Sequence, residues 1–196
     1  GAKCLLEQLA GAILQKHMEH YGFLRAEAER SAEFVGAEWW VQVKETDDCD
    51  DQGINLHYDK DETLAETFEL GSFPTLSTVT YLSASQNMLP TVVVPHTYDQ
   101  DQSSEIPSMA LSYPRVGKHL VFNGRLLHGV PAHPTLLPEQ QDTDEEEYRI
   151  TFLVNIWTKH RPANVQELND DIRQEMIRES EKDDLEDPLS MELERD

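Results

Sequence analysis

Residues Arg149-Ile150-Thr151-Phe152-Leu153-Val154-Asn155-Ile156-Trp157 alternate in a way that an extended strand uses and a helix does not. Successive side chains of a strand point to opposite faces, so Ile150, Phe152, Val154 and Ile156 share a wholly apolar face while Arg149, Thr151 and Asn155 share the other. The apolar face needs a covering layer. An arginine on the opposite, inward face is costly to bury unless it meets an anion. Its planar fork matches a carboxylate bidentately, and the Thr151 hydroxyl can donate one further bond. This strand alone predicts a layered, mainly β domain with an anion-holding pocket on one side of a sheet.

A second strand predicts what lies beside that pocket. In Ile54-Asn55-Leu56-His57-Tyr58-Asp59 the period of two turns His57 and Asp59 to one face and Tyr58 to the other. An imidazole and a carboxylate can then grip one metal ion. His128, in the short apolar run Leu126-Leu127-His128-Gly129-Val130, offers a third ligand, and Asn123-Gly124 before it predicts a tight hairpin turn. Two imidazoles and one carboxylate on one side of a metal leave the other side open, the arrangement of non-haem Fe(II) enzymes that bind O₂ and a co-substrate.

In its order of motifs, His57-Tyr58-Asp59, then His128, then Arg149-Ile150-Thr151, the chain resembles the Fe(II)- and 2-oxoglutarate-dependent dioxygenases over residues 38–160. Thr78-Val79-Thr80-Tyr81-Leu82-Ser83 resembles the second core strand of the prolyl-hydroxylase-type branch. Two positions depart from that pattern: Met88-Leu89-Pro90 stands where Gly-Gly is usual, and 21 positions separate His128 from Arg149. The resemblance implies a double-stranded β-helix, a jelly roll of the cupin kind, with helices packed on the outer face of its major sheet. It implies Fe(II) on His57, Asp59 and His128, and 2-oxoglutarate held at its distal carboxylate by Arg149, Thr151 and Tyr81. O₂ would be the other co-substrate and ascorbate a candidate reductant. The implied reaction is oxidative decarboxylation of 2-oxoglutarate to succinate and CO₂, coupled to hydroxylation of a C–H bond on a prolyl or other protein side chain. Asp59 as a carboxylate argues against a halogenase, which must vacate that position for chloride.

Composition bounds the remaining choices. A chain of 196 residues holds one catalytic domain rather than two. A net charge of −22 repels phosphate backbones and favours a basic peptide or protein over nucleic acid as partner. Two cysteines, Cys4 and Cys49, make no disulfide framework and fit a reducing compartment, and neither has a Cys-x-x-Cys partner for zinc. There is no run of about eighteen apolar residues and no basic, apolar, small-residue leader, so the expectation is an intracellular monomer, cytoplasmic or nuclear, without a membrane span.

Four segments are expected. Residues 1–37 carry an amphipathic helix over 2–20, with Leu6, Leu9, Ala10, Ile13 and Leu14 on one side, and a second helical stretch over 24–34. Residues 38–160 form the β core, beginning with the aromatic strand Glu38-Trp39-Trp40-Val41-Gln42-Val43. Trp40 and Gln42 share a face there and, with Asn155, are candidates to line the pocket. Asp61 is placed to cap a short helix through Glu69 beside the metal mouth. Residues 161–180 are expected to form a helix bearing Val165, Leu168, Ile172 and Met176, and residues 181–196 an acidic tail. The acidic run 142–147 should stay solvated.

Each part has a plainer reading: a lone His-x-Asp arises by chance, a lone His128 is a half-buried structural histidine, and a lone Arg149 is an ion-paired strand residue. Their joint occurrence, in order and on strands of the required parity, outweighs those readings. His17, His20, His96, His119, His133 and His160 are not expected to be ligands. Three alternatives stay open: a jelly-roll metal enzyme acting without 2-oxoglutarate, a small-metabolite hydroxylase, and a non-catalytic binding module.

Overall fold

The structure, a computed structural model, describes residues 3–21, 36–46, 53–84, 88–101, 105–106, 108–136 and 148–186. Two units make up the chain, one from Gly1–Glu29 with Asn164–Asp196 and one from Arg30–Ala163. The first holds helices α1 (Leu5–His20) and α3 (Asp170–Glu186). Glu7 turns back to accept from the Cys4 backbone N–H at the start of α1, at 3.0 Å, and pairs with Arg173 Nε of α3, also at 3.0 Å. Helix α3 therefore starts and ends later than the apolar spacing around Val165 and Leu168 predicts. The predicted second helix over 24–34, the acidic run 142–147 and residues 187–196 lie outside the described residues.

The second unit is mainly β, a sandwich-like arrangement of two four-stranded antiparallel sheets. Its strands are β1 (Gly36–Glu45), β2 (Ile54–His57), β3 (Leu76–Tyr81), β4 (Thr91–Thr97), β5 (Ala110–Ser112), β6 (His119–Asn123), β7 (Leu126–Val130) and β8 (Tyr148–Trp157). One sheet has the order β1-β8-β3-β6 and the other β2-β7-β4-β5. Strand β8 lies between two partners, as its dual-faced sequence requires. Thr151 stands opposite Gln42 and Tyr81, Leu153 opposite Trp40 and Val79, and Asn155 opposite Glu38 and Ser77. Opposed residues share a face, so these rows form the inner surface of that sheet. On the other face of β8, Phe152, Val154 and Ile156 are fully buried. Between the sheets, Val79, Tyr81, Val93 and Phe122 pack together with Leu120, Leu126 and Leu153 around them.

The Asn123-Gly124 signal resolves differently from the predicted hairpin. Strand β6 pairs with β3 and β7 pairs with β2 and β4, so the turn carries the chain from one sheet to the other. Asn123 Oδ1 accepts from Arg125 N at 3.1 Å, a local Asx-type turn. A Cβ on Gly124 would collide with the Pro74 carbonyl, so the glycine serves a close backbone approach rather than a two-residue hairpin.

Helix α2 (Glu62–Phe68) follows β2 where the sequence predicts it. Asp61 is its N-cap, accepting from Leu64 N at 3.1 Å through Oδ1. The other oxygen of Asp61 takes His160 Nε2 at 2.6 Å and the Ala163 N–H at 2.8 Å. Burial opposes the charge on Asp61, but the His160 contact and the Ala163 and Leu64 amides outweigh it and hold the carboxyl below its usual range. One carboxylate thus ties the start of α2 to the segment after β8.

Candidate metal centre and anion pocket

Strands β2 and β7 bring His57 and His128 opposite each other in register, with ring centroids 4.4 Å apart. Gly129 permits this. A Cβ there would lie 2.7 Å from the Ile54 carbonyl oxygen and 2.8 Å from that of Asn55, so only glycine lets the β2 backbone come so near. A β-irregularity between Ile54 and His57 adjusts the register.

Asp59, two residues beyond His57, completes the group. Its Oδ1 is 3.6 Å from His57 Nε2 and its Oδ2 is 3.4 Å from His128 Nε2. All three donor atoms lie within 4.8 Å of one another, and among the described residues no other set of His, Cys, Asp and Glu side chains gathers this way. Two donors each about 2.1 Å from a common ion span at most about 4.2 Å, so both Asp59 contacts already meet that limit.

The imidazoles are oriented for binding. His57 Nδ1 donates to the Asn55 carbonyl at 2.8 Å and His128 Nδ1 to the Leu126 carbonyl at 2.9 Å. Each backbone acceptor fixes the proton on Nδ1 and leaves the Nε2 lone pair facing Asp59, as in the outer shell of a metal histidine. Ser77 Oγ, buried on β3, donates to Asp59 Oδ2 at 3.0 Å. Burial opposes ionisation of Asp59, yet the His128 and His57 contacts win and hold the carboxyl far below its ordinary range. The Asp59 contact in turn raises the His57 imidazole against the pull of its burial. The His57 side chain is 44% exposed and that of His128 only 7%, so the group is open to solvent on the β2 side alone.

A cleft of about 110 Å³ is lined by these residues together with Trp40, Gln42, Thr91, Arg149 and Thr151. Filled at roughly 10–15 Å³ per water-sized group, it takes about seven to eleven such groups, a range that includes a small dicarboxylate. Val79, Leu153 and Val130 supply its apolar wall. In this lining Arg149 is 1% exposed and, among the described residues, has no carboxylate partner. Burial lowers its pKa, and the neighbouring Tyr81 opposes that shift. Arg149 Nη2 donates to Thr91 Oγ1 at 2.8 Å, while its Nε and the Thr151 hydroxyl are buried with no hydrogen-bond partner among the described residues. A buried cation and a buried, unpartnered hydroxyl form a donor set whose chemistry suits an anion.

Two of the sequence-predicted residues sit elsewhere. Tyr81 is fully buried beside the cleft, its ring 5.7 Å from the Arg149 guanidinium and its hydroxyl within 2.8 Å of both Thr91 Oγ1 and the Ser112 carbonyl. Asn155 donates to Glu38 Oε1 at 3.1 Å, which Trp157 Nε1 also reaches at 3.0 Å, so its amide is spent within the sheet. Burial, with Asp59 and Asp61 adding, pushes the Glu38 carboxyl up against the lowering effect of those two donors. Ser77, Thr91 and Glu38 are the polar residues that sequence reasoning missed. Parity could have found Ser77, which shares a face with Val79 and Tyr81. Of the remaining histidines, His96 bonds Tyr58 at 2.6 Å, His119 bonds Thr80 at 2.7 Å and His160 bonds Asp61, none of them joining the metal group.

No helix among the described residues is long and apolar enough to cross a membrane. Neither the known protein-family models nor the curated proteins contain a match to the chain. A solved structure from the disulfide-linked pili of Bacillus endospore appendages is similar over 66% of this chain and 93% of that one, at 7% identity and a TM-score of 0.33.

Proposed function

We propose that the protein is a non-haem Fe(II) oxygenase that uses 2-oxoglutarate and O₂ to hydroxylate a C–H bond, on a double-stranded β-helix scaffold. The observation that carries this reading is one cleft lined both by the His57, Asp59 and His128 group and by a buried Arg149 that has no carboxylate partner among the described residues, with Thr151 two residues on. The scaffold assignment is supported by strand order, since every connection from β1 to β8 except β4 to β5 passes to the opposite sheet.

Bound together, Fe(II), 2-oxoglutarate and O₂ supply the oxidant, with succinate and CO₂ as by-products. The chain's own residues do the rest. His57 and His128 present Nε2 because their Nδ1 protons are committed to carbonyls. Asp59 offsets part of the ion's charge, and Ser77 holds its carboxylate in place. Arg149 and Thr151 fix the distal carboxylate of the co-substrate, which sets its other end toward the histidines. Val79, Leu153 and Trp40 keep water from the span between. The exposed flank of His57 is the side from which a substrate reaches the ion, and the charge of −22 favours a cationic peptide side chain, prolyl residues in a basic segment included.

The test is an anaerobic titration of Fe(II)-loaded protein with 2-oxoglutarate, following the visible metal-to-ligand charge-transfer band. A saturable band is expected, with affinity in Arg149→Met weaker by roughly 1.5–3 kcal/mol, the loss of a charge-assisted bond. Absence of the band with iron demonstrably bound would overturn the reading.

A further inference from the structure

We infer that the rings of Tyr98 and Phe73, with the carboxylates beside them, form a docking shelf for an arginine-bearing segment of the substrate polypeptide. This deepens the oxygenase reading and rests on it, since that reading makes the partner a substrate.

The shelf begins at Tyr58, between His57 and Asp59. Those two turn toward the cleft, so by parity Tyr58 turns to the outer face of the sheet β2-β7-β4-β5. There its hydroxyl donates to His96 Nδ1 of β4 at 2.6 Å, because His96 Nε2 faces the Asp101 carbonyl at 3.3 Å and must itself donate. The pinned Tyr58 ring meets Tyr98 edge-on at 5.5 Å, and Tyr98 meets Phe73 at the same spacing. Tyr98 is nonetheless 52% exposed. The end of α2 borders these rings: a Cβ on Gly71 would stand 2.8 Å from the ring of Phe73 and 3.8 Å from that of Tyr98. Phe68 and Leu70, both exposed there, add apolar surface.

The chain's own Arg125 shows which group such a surface holds. Its guanidinium lies 5.2 Å from the Phe73 ring centroid and 3.3 Å from Asp99 Oδ1, a cation between an aromatic face and a carboxylate. Tyr98, the next ring in the row, carries no cation among the described residues. The charge around it is unbalanced in the same sense. Lys60 and Arg125 are each spent on one acid, Glu62 and Asp99, whereas exposed Glu66 and Glu69 form no ion pair among the described residues. An arginine with apolar neighbours satisfies rings, flanks and charge together, and a phosphate backbone is repelled. Strand β2 is the edge of its sheet, so a chain seated on this outer face can turn round that edge to the exposed flank of His57.

The experiment is fluorescence anisotropy with a labelled decapeptide of alternating arginine and proline, and with the same peptide carrying neutral citrulline for arginine. It is run on the wild type, Tyr98→Ala, Tyr98→Phe, Glu69→Gln and Glu45→Gln, the last on the edge strand of the other sheet, with a thermal midpoint for each. Tyr98→Ala should weaken the arginine peptide about two- to fivefold, the size of an exposed cation–π contact. Tyr98→Phe keeps the ring and should bind as the wild type does. Glu69→Gln leaves the rings in place and should weaken binding about twofold, Glu45→Gln not at all. The citrulline peptide should bind less tightly and be indifferent to Tyr98. No binding of the arginine peptide, or equal binding by folded Tyr98→Ala and the wild type, would overturn the shelf, the second because net charge alone would then explain the affinity. A wild-type dimer that Tyr98→Ala dissociates in sedimentation would overturn it too, by giving the shelf to a second copy. Tyr98→Ala should keep the wild-type charge-transfer band with 2-oxoglutarate. Tyr98-dependent peptide binding with no band in the iron-loaded wild type would remove the oxygenase reading and leave the shelf, and a band with Tyr98-independent binding would do the reverse.

Discussion

Gly129→Ala is the sharpest test of how the fold would build the proposed metal group, because it replaces none of its three side chains and adds one carbon. The new Cβ would lie 2.7 Å from the Ile54 carbonyl oxygen, 2.8 Å from that of Asn55 and 3.0 Å from the Asn55 carbonyl carbon. Ordinary carbon–oxygen contacts are about 3.4 Å, so relief requires a shift of about 0.6–0.7 Å. Every one of these atoms is backbone, so no side chain can swing aside, and β2 must move from β7. Asn55 O is also the acceptor that orients His57 through Nδ1 at 2.8 Å, so the displaced group is the one that aims the ligand. Metal–ligand distances tolerate about 0.2 Å, roughly a third of that shift. Loss of an outer-shell partner alone costs about 10- to 100-fold in metal affinity, and at least the lower figure is expected here. Anaerobic Fe(II) or Mn(II) titration measures it, with a thermal melt to separate the local effect from the roughly 1–3 kcal/mol that overpacking costs the fold. A folded Gly129→Ala protein that binds metal as the wild type does would refute the view that β2 is held at contact distance to set His57 against His128.

Ser77→Ala removes the hydroxyl that steadies Asp59, and metal affinity should fall about tenfold or more by the same titration; no change would reduce Ser77 to packing. Glu38→Gln should raise the melting temperature at pH 7. The folded-state pKa of Glu38 lies above its unfolded value, so its favourable contribution is complete below that unfolded value and is lost as pH rises through the raised one. The gap should therefore close as pH falls toward the ordinary glutamate value of about 4.3, and a gap that persists at pH 4 would show that ionisation is not its cause. Gly11→Ala, in α1 where an added Cβ meets nothing within 4 Å, should stabilise by about 0.8–1 kcal/mol and raise the melting temperature by about 2–4 °C; a lowered midpoint would show a neighbour the structure lacks.

What could be read from the chain was whatever is fixed by parity within a single strand. His57 and Asp59, or Arg149 and Thr151, share a face because they are two apart, and no partner strand is needed to know it. The capped helix after Asp59 was legible for the same reason, since Asp61 and the Leu64 amide are three residues apart. What depends on the partner strand was not legible. Asn123-Gly124 carries the local chemistry of a hairpin, yet Pro74, some fifty residues away, decides that the glycine serves a crossing between sheets. Thr91 sits in a plain apolar run, and only the pairing of β4 with β5 and the approach of Arg149 give its hydroxyl a role.

The same distinction applies to Tyr81, which the resemblance sets on the 2-oxoglutarate carboxylate and whose hydroxyl donates to Thr91 Oγ1 and the Ser112 carbonyl, each at 2.8 Å, in the structure. Sequence order puts a tyrosine on the strand next to Arg149's strand, and register puts it opposite Thr151, which is compatible with either role. The Ser112 carbonyl that its hydroxyl reaches belongs to a three-residue strand in the other sheet that the sequence does not announce. Arg149 is held at Nη2 by Thr91, and its Nε and the Thr151 hydroxyl two residues on are buried with no partner among the described residues, a state that no single strand's sequence reveals because it depends on what the facing sheet fails to supply.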